Sequence, residues 1–349
     1  VLALLAAVAM VVASLVIRSR LDRNGAGPGG ALRLTCATEL EDACRSIADR
    51  AGAGRVELTV EPAGTTADRL AGADDPGLDG WLVPEPWPDM VDIRRRTKAL
   101  EPLFSSPRAT LARSPLALVV WKDRSAALAP RCGGPVTWRC VGDATAAGPW
   151  TASGGRPEWG SPKPGPTNPD EGVGLLVLGQ AVAGWFGRTD LSTTDLDDDD
   201  FSRWFSALER TPSAAPATAT TSPLDLMLTA GPAVYDVVGA SEAVAAPLLA
   251  GSARRSQVDL LYPSAMSPDG PPSTADVVLA TAGAAGDAVR RVAGGGDARK
   301  ALAAAGWRVE GQPRASGVPD APPLPASTNL PPPGLLDALR GRWHEVTGR

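Results

Sequence analysis

The sequence predicts an α/β protein, and three observations carry that prediction. Strand and helix signals alternate from residue 31 onward. The first two strands enclose an amphipathic helix, a βαβ unit that requires parallel pairing. The 349 residues, 44% hydrophobic and 21% charged, supply apolar material for one large or two medium domains. A disordered or collagen-like chain is excluded on the same grounds.

Residues 1–17, VLALLAAVAMVVASLVI, form one unbroken apolar run closed by Arg18, Arg20 and Arg23. At about 1.5 Å per residue the run approaches the roughly 30 Å hydrocarbon thickness of a bilayer. An N-terminal transmembrane helix or uncleaved signal is expected there, followed by a tether over 18–30 that contains NGAGPGG. Arginines after the run would hold the following chain in the cytoplasm. For an extracytoplasmic chain, a short basic segment upstream of Val1 is expected.

The cysteines favour the outside. Cys36 with Cys44 and Cys132 with Cys140 are two pairs of equal short spacing, as local disulfides in an oxidising compartment would be. Reduced buried thiols and a four-thiolate zinc site are the alternatives, and the second lacks CxxC spacing. In the second pair, RCGGPVTWRC suggests a hairpin turn between the two thiols.

In chain order, ALRLTCA is a strand, TELEDACRSIADRAG a helix opened by Thr38 with Glu41 as a capping box, and RVELTVEPAG a second strand. A short helix spans 66–73. LDGWLVPEPW at 78–87 is a buried strand running into a proline-stiffened loop, and a short helix follows at 91–97. SPLALVVWKD at 114–123 is strand-like, whereas 124–170, rich in Pro, Gly and Trp, reads as loops around a strand VTWRCVGD. NPDEGVGLLVLGQAVAGWFG at 168–187 is a buried helix with Asp170 and Glu171 in its first turn, where negative charge suits the helix dipole. The run Asp197 to Asp200 reads as solvated partners of the next helix, FSRWFSALER, rather than as a calcium site. Residues 212–223 form a low-complexity linker.

AVYDVVGASEAVAAPLLAG is then a strand and a helix with Ser241 and Glu242 in its first turn, and VDLLYPSA at 258–265 a strand. Further strand or helix follows to residue 295, a helix at 296–307, and a proline-rich segment at 317–334. The terminal helix GLLDALRGRWHEVTG places Trp343 on its packing face, with His344 a surface neighbour of no function.

Composition bounds the chemistry. His344 is the single histidine, which leaves no material for a Ser-His-Asp triad or a multi-histidine metal site. The net charge of −5 argues against nucleic-acid binding. No catalytic residue, metal or cofactor is assigned. Residues 1–27 carry three arginines and Asp22, so the rest of the chain stands at −7.

LRLTCATELEDACRSIADRAG, VELTVEPAGTTADRLA and LDGWLVPEPW, in this order, resemble the opening of type II extracellular solute-binding proteins of the molybdate-binding and related kind. The resemblance covers most of residues 31–310 and extends to actinobacterial membrane-anchored binding domains. Some of those are fused to a von Willebrand type A domain, for which this chain is too short. It implies a two-lobed type II periplasmic-binding-protein-like fold with two crossing strands. Lobe 1 would comprise 31–121 and 263–349, and lobe 2 would comprise 122–262, with PLALVVW crossing out and LLYPSA crossing back.

Ligands of such a fold lie in the cleft where strand carboxyl ends meet helix amino ends. The resemblance places Thr38, Glu39, Thr65, Thr66, Glu85 and Trp87 at that cleft from lobe 1. From lobe 2 it places Asp170, Glu171, Gly172, Ser241 and Glu242. The implied function is a membrane-anchored extracytoplasmic solute-binding protein, with an unknown small-molecule ligand and a membrane permease of ABC type or an envelope protein as partner. The alternative is a non-catalytic interaction or envelope module with a degenerate cleft. Five of the cleft residues are carboxylates, which would repel molybdate or phosphate in a semi-dry cleft. A cationic, zwitterionic or peptide-like ligand, or none, is expected instead.

Overall fold

The computed structural model describes residues 30–210, 222–264, 270–314, 318 and 322–348. The apolar run 1–17, the tether as far as residue 29 and nearly all of the linker 212–223 lie outside the described residues. Among the described residues no helix is long and apolar enough to cross a membrane.

The strands are β1 (Leu32–Ala37), β2 (Val56–Glu61), β3 (Gly80–Pro84), β4 (Thr110–Trp121), β5 (Val237–Ser241), β6 (Val258–Leu261) and β7 (Thr274–Thr281). Before β5 come the helices α1 (Glu41–Ala51), α2 (Ala63–Leu70), α3 (Trp87–Thr97), α4 (Lys122–Cys132), α5 (Trp138–Ala146), α6 (Gly172–Phe186), α7 (Asp199–Glu209) and α8 (Pro223–Ala230). After it come α9 (Glu242–Gly251), α10 (Gly286–Ala293), α11 (Gly296–Ala304) and α12 (Pro333–Thr347).

The expected βαβ unit forms: β1 pairs in parallel with β2 and also with β3. β3 then pairs antiparallel with β7, and β7 with Thr110–Pro115 of β4. The remainder of β4, from Leu116 to Trp121, is flanked by β5 and β6, both antiparallel. One long strand is thus shared by two sheet halves, β2-β1-β3-β7 and β5-β4-β6. The segment Leu116–Trp121 is buried throughout, because helices cover both of its faces, and its unbroken apolar sequence follows from that. The chain returns to the first half between β6 and β7, where Ser264 bridges Pro272.

Helices α1, α10 and α11 pack on the first half, and α4, α8 and α9 on the second. Helix α6 touches strands of both. Its body is buried from Leu175 to Ala183, as a helix apolar around its whole circumference must be. One continuous apolar core joins residues of both halves, including Trp81, Trp87, Leu118, Leu176, Phe201, Leu336 and Trp343.

Several local expectations change. Thr38 opens a 3-10 turn, α1 starts at Glu41 without a side-chain cap, and Glu41 pairs with Arg45 rather than closing a capping box. RCGGPVTWRC is a helix–turn–helix rather than a hairpin around a strand: α4 ends at Cys132 and α5 begins at Trp138, with Thr137 accepting from the Cys140 N–H at 3.4 Å. Two helices in a tight turn bring the thiols together as a hairpin would. Disulfides join Cys36 to Cys44 and Cys132 to Cys140. Helices α2 and α3 start at residues 63 and 87, earlier than their apolar periodicity suggests. Helix α8 has no counterpart in the sequence reading, and α4 falls in the stretch read as loops, its pattern obscured by Pro130. Asp198 accepts from the Phe201 N–H at 2.7 Å and caps α7, the role expected of the aspartate run.

The C-terminal segment runs along the return between the halves. The Thr274 N–H donates to the Thr328 carbonyl at 2.9 Å, Ser273 Oγ to the Asn329 carbonyl at 2.8 Å, and Arg113 to the Pro325 carbonyl at 2.5 Å. Helix α12 then packs against α3, α6 and α7.

Candidate functional site

The carboxyl ends of β1 and β3 meet the amino end of α6 along a seam between the two sheet halves. Three contacts close it. The Gly64 N–H at the start of α2 donates to the Asp170 carbonyl at 2.8 Å, and Trp87 Nε1, at the start of α3, donates to the Gly172 carbonyl at 3.0 Å. The third contact is Glu39, whose carboxylate is pressed against the first residue of α6. A Cβ at Gly172 would stand 2.1 Å from Glu39 Oε1 and 3.1 Å from Pro84 Cδ, so any larger residue there would push the Glu39 carboxylate aside.

The buried oxygens of Glu39 accept no well-formed hydrogen bond. Burial pushes this carboxyl up to about 7, the neighbouring Glu171 charge adds to the rise, and the N–H of Glu39 itself, followed by those of Val173 and Gly172, only partly offsets it. Glu171 stands at the N-cap position of α6. Burial raises its pKa too, against a hydrogen bond from Thr38. Beside it opens a cavity of about 450 Å³, lined by Thr38, Glu41, Arg45, Glu61 and Glu171 among others, within the size range of small-ligand sites.

The raised carboxyl has a pH consequence. A folded-state pKa above the ordinary value means that the contribution of Glu39 to stability is intact below about pH 4.5 and is lost as pH rises through about 7. The full loss is on the order of 3 kcal/mol. Thermal melts between pH 4.5 and 8 check this: Glu39→Gln should gain on the parent chain as pH rises, and parallel curves would refute it.

Arg340 of α12 reaches into the same seam. Its Nη1 and Nη2 donate to the two carboxylate oxygens of Asp68, on α2, at 2.7 and 2.8 Å, and its Nε donates to Asp170 at 2.6 Å. The guanidinium carbon lies 5.9 Å from the centre of the Trp87 ring. Arg94 also donates to Asp68, at 2.6 Å, and His344 Nε2 lies 3.2 Å from Asp170, so the lone histidine belongs to this seam rather than to an idle surface. Burial works against the Asp68 charge, but the hydrogen bonds from Arg340 and Arg94 outweigh it and hold that carboxyl below its ordinary value.

The seam gathers Thr38, Glu39, Trp87, Asp170, Glu171 and Gly172. Thr65 is exposed on α2, and Thr66 is buried there, donating to Glu61 at 2.8 Å. Glu85 turns to Arg108, 2.8 Å away. Ser241 and Glu242 lie in a separate network: Ser241 Oγ accepts from the Val244 N–H at 3.3 Å, and Ser114 Oγ accepts from the Ala243 N–H at 2.9 Å. The first turn of α9 is thereby capped from within the chain. Arg308 and Tyr262 take up the Glu242 carboxylate. Asp68 and Arg340 were missed in the sequence because they lie 272 residues apart. The available signal was the spacing of Asp337, Arg340 and His344, which places one acidic and two basic groups on one face of α12. Among the described residues no three His, Cys, Asp or Glu side chains are grouped to hold a metal ion.

No family model and no curated protein sequence matches the chain. Solved structures do. Iron-bound HitA from Pseudomonas aeruginosa aligns with a TM-score of 0.58 at 12% identity, over 91% of this chain and 99% of that one. Fructose-6-phosphate-bound AfuA, a periplasmic binding protein from Actinobacillus pleuropneumoniae, aligns at 0.55 and 11%, over 91% and 99%. Apo FutA2 from Synechocystis aligns at 0.51 and 14%, over 91% and 98%. At such identities the likeness concerns the fold alone, and with β4 shared between two sheet halves, that fold is the one implied by the sequence resemblance, the type II periplasmic-binding-protein fold.

Proposed function

We propose that this chain is a non-catalytic, extracytoplasmic solute-binding protein, tethered by residues 1–17, that captures a small organic cation or zwitterion for an ABC-type permease or another envelope partner. The observation that carries the reading is the convergence of Glu39, Asp68, Asp170 and Glu171 on one seam, at the amino end of α6 where this fold could otherwise cradle an oxyanion. The two disulfides support an oxidising compartment. A second reading, a non-catalytic envelope interaction module, draws on α12, which packs against α3, α6 and α7.

A thermal-shift panel separates these. Molybdate, tungstate and phosphate should leave the melting temperature unchanged, whereas arginine, polyamines or basic dipeptides should raise it. A shift with any of the three oxyanions would overturn the ligand class. A flat response to every amine, with an unchanged scattering envelope, would favour the interaction module.

A further inference from the structure

The geometry points to Arg340 as a built-in ligand: the cage formed by Asp68, Asp170 and Trp87 is a receptor for a guanidinium-bearing cation, and α12 holds it occupied by the chain's own guanidinium. This rests on the solute-binding reading above and names the ligand class of the same seam.

The cage has the elements of a guanidinium site. Asp68 offers both oxygens to the two terminal nitrogens in the fork geometry that suits a planar cation, and Asp170 takes the remaining Nε–H. The Trp87 indole supplies an aromatic wall at 5.9 Å. The space is shaped for the group as well: a Cβ at Gly64 would fall 2.7 Å from Arg340 Nη2 and 3.0 Å from Asp170 Oδ1, so the backbone of α2 comes this close only because residue 64 has no side chain. The Arg340 side chain is only one-tenth exposed. The same contacts join the two sheet halves, since Asp68 lies on α2 and Asp170 in the loop before α6. A guanidinium from solution would make this bridge without α12, and α12 in place competes with it.

The test removes the internal ligand from the full chain. Arg340→Ala is titrated with methylguanidine by calorimetry and thermal melting, beside the parent chain and Arg340→Ala/Asp170→Asn. Methylguanidine should bind Arg340→Ala saturably and raise its melting temperature. Binding to the parent chain should be weaker by about tenfold or more, because its cage is filled. The added Asp170→Asn should abolish the effect. If Arg340→Ala does not fold, Arg340→Gln, which keeps most of the side-chain volume without the charge, takes its place in the same titration. No binding to either variant, or equal binding to variant and parent, overturns the proposal. A panel amine that stabilises the parent chain while the variants ignore methylguanidine refutes the built-in ligand and leaves solute capture standing. Binding to the variant with no panel response in the parent supports the built-in ligand and counts against capture by the resting protein.

Discussion

Arg308→Met is expected to lower stability by about 3–5 kcal/mol, measured by chemical denaturation. Arg308 donates from Nε and Nη2 to the two oxygens of Glu242 at 2.6 and 2.5 Å, and the two side chains are 7% and 6% exposed. Tyr262 donates to the same carboxylate at 2.6 Å, and burial together with this bond holds the phenol protonated, its pKa well above the ordinary value. Removing the arginine leaves a buried carboxylate with one neutral donor, and its desolvation is then uncompensated. The double variant Glu242→Leu/Arg308→Met removes the charge as well as its partner and should recover most of the loss. If the single and double variants are equally unstable, the damage lies in packing and the ion pair is not the cause. The position is structurally important because Arg308 exchanges both backbone hydrogen bonds with Arg113 on β4, at 2.9 and 2.8 Å, while Glu242 begins α9. The pair therefore joins the helix of the second sheet half to the strand that both halves share.

Trp343→Ala should cost a similar amount, about 3–5 kcal/mol, by the loss of a large buried aromatic side chain and the cavity left behind. Trp343 is 4% exposed within the main core, and its Nε1 donates to Glu209 at 2.8 Å. Glu209 is itself buried and accepts from the Thr167 hydroxyl at 3.2 Å. Trp343→Phe keeps most of the volume and removes the donor, so its cost should fall to about 1–3 kcal/mol. A denaturation series in which Phe and Ala cost the same would show that the hydrogen bond, rather than the volume, anchors α12. Hydrogen exchange along α12 gives the independent readout, since loosening the anchor should raise exchange there before it does so in β1 and β3.

The α/β class, the βαβ opening, the strand at PLALVVW and the all-round burial of the helix after Glu171 were legible because each rests on periodicity within a dozen residues, whereas the crossing role of PLALVVW came from the family resemblance. Helix starts were less legible. Trp87 and Ala63 begin helices beside prolines, where local signals point equally to a turn, and α4 carries Pro130 within it. The cysteine spacing marked the pairs that the structure joins, but not the elements that bring them together.

The seam divides along the same line. Position after a strand is a local property, and together with the family resemblance it placed Glu39 and Trp87 near the cleft. Whether the Glu39 carboxylate meets water or the backbone of α6 depends on a helix 133 residues further along the chain, and the cation beside Asp170 comes from a helix 170 residues away. The sequence by itself determined the strands and helices whose pattern is strong, such as β1, α1, β2 and α6, because the backbone's choice between them is settled by side chains a few residues apart, and it left α4, α5 and α8 unread. The tertiary structure alone decided which carboxylates are buried, which are paired and what fills the seam, because desolvation and ion pairing depend on distance in space, and no local pattern encodes that Asp68, Asp170 and Arg340 meet.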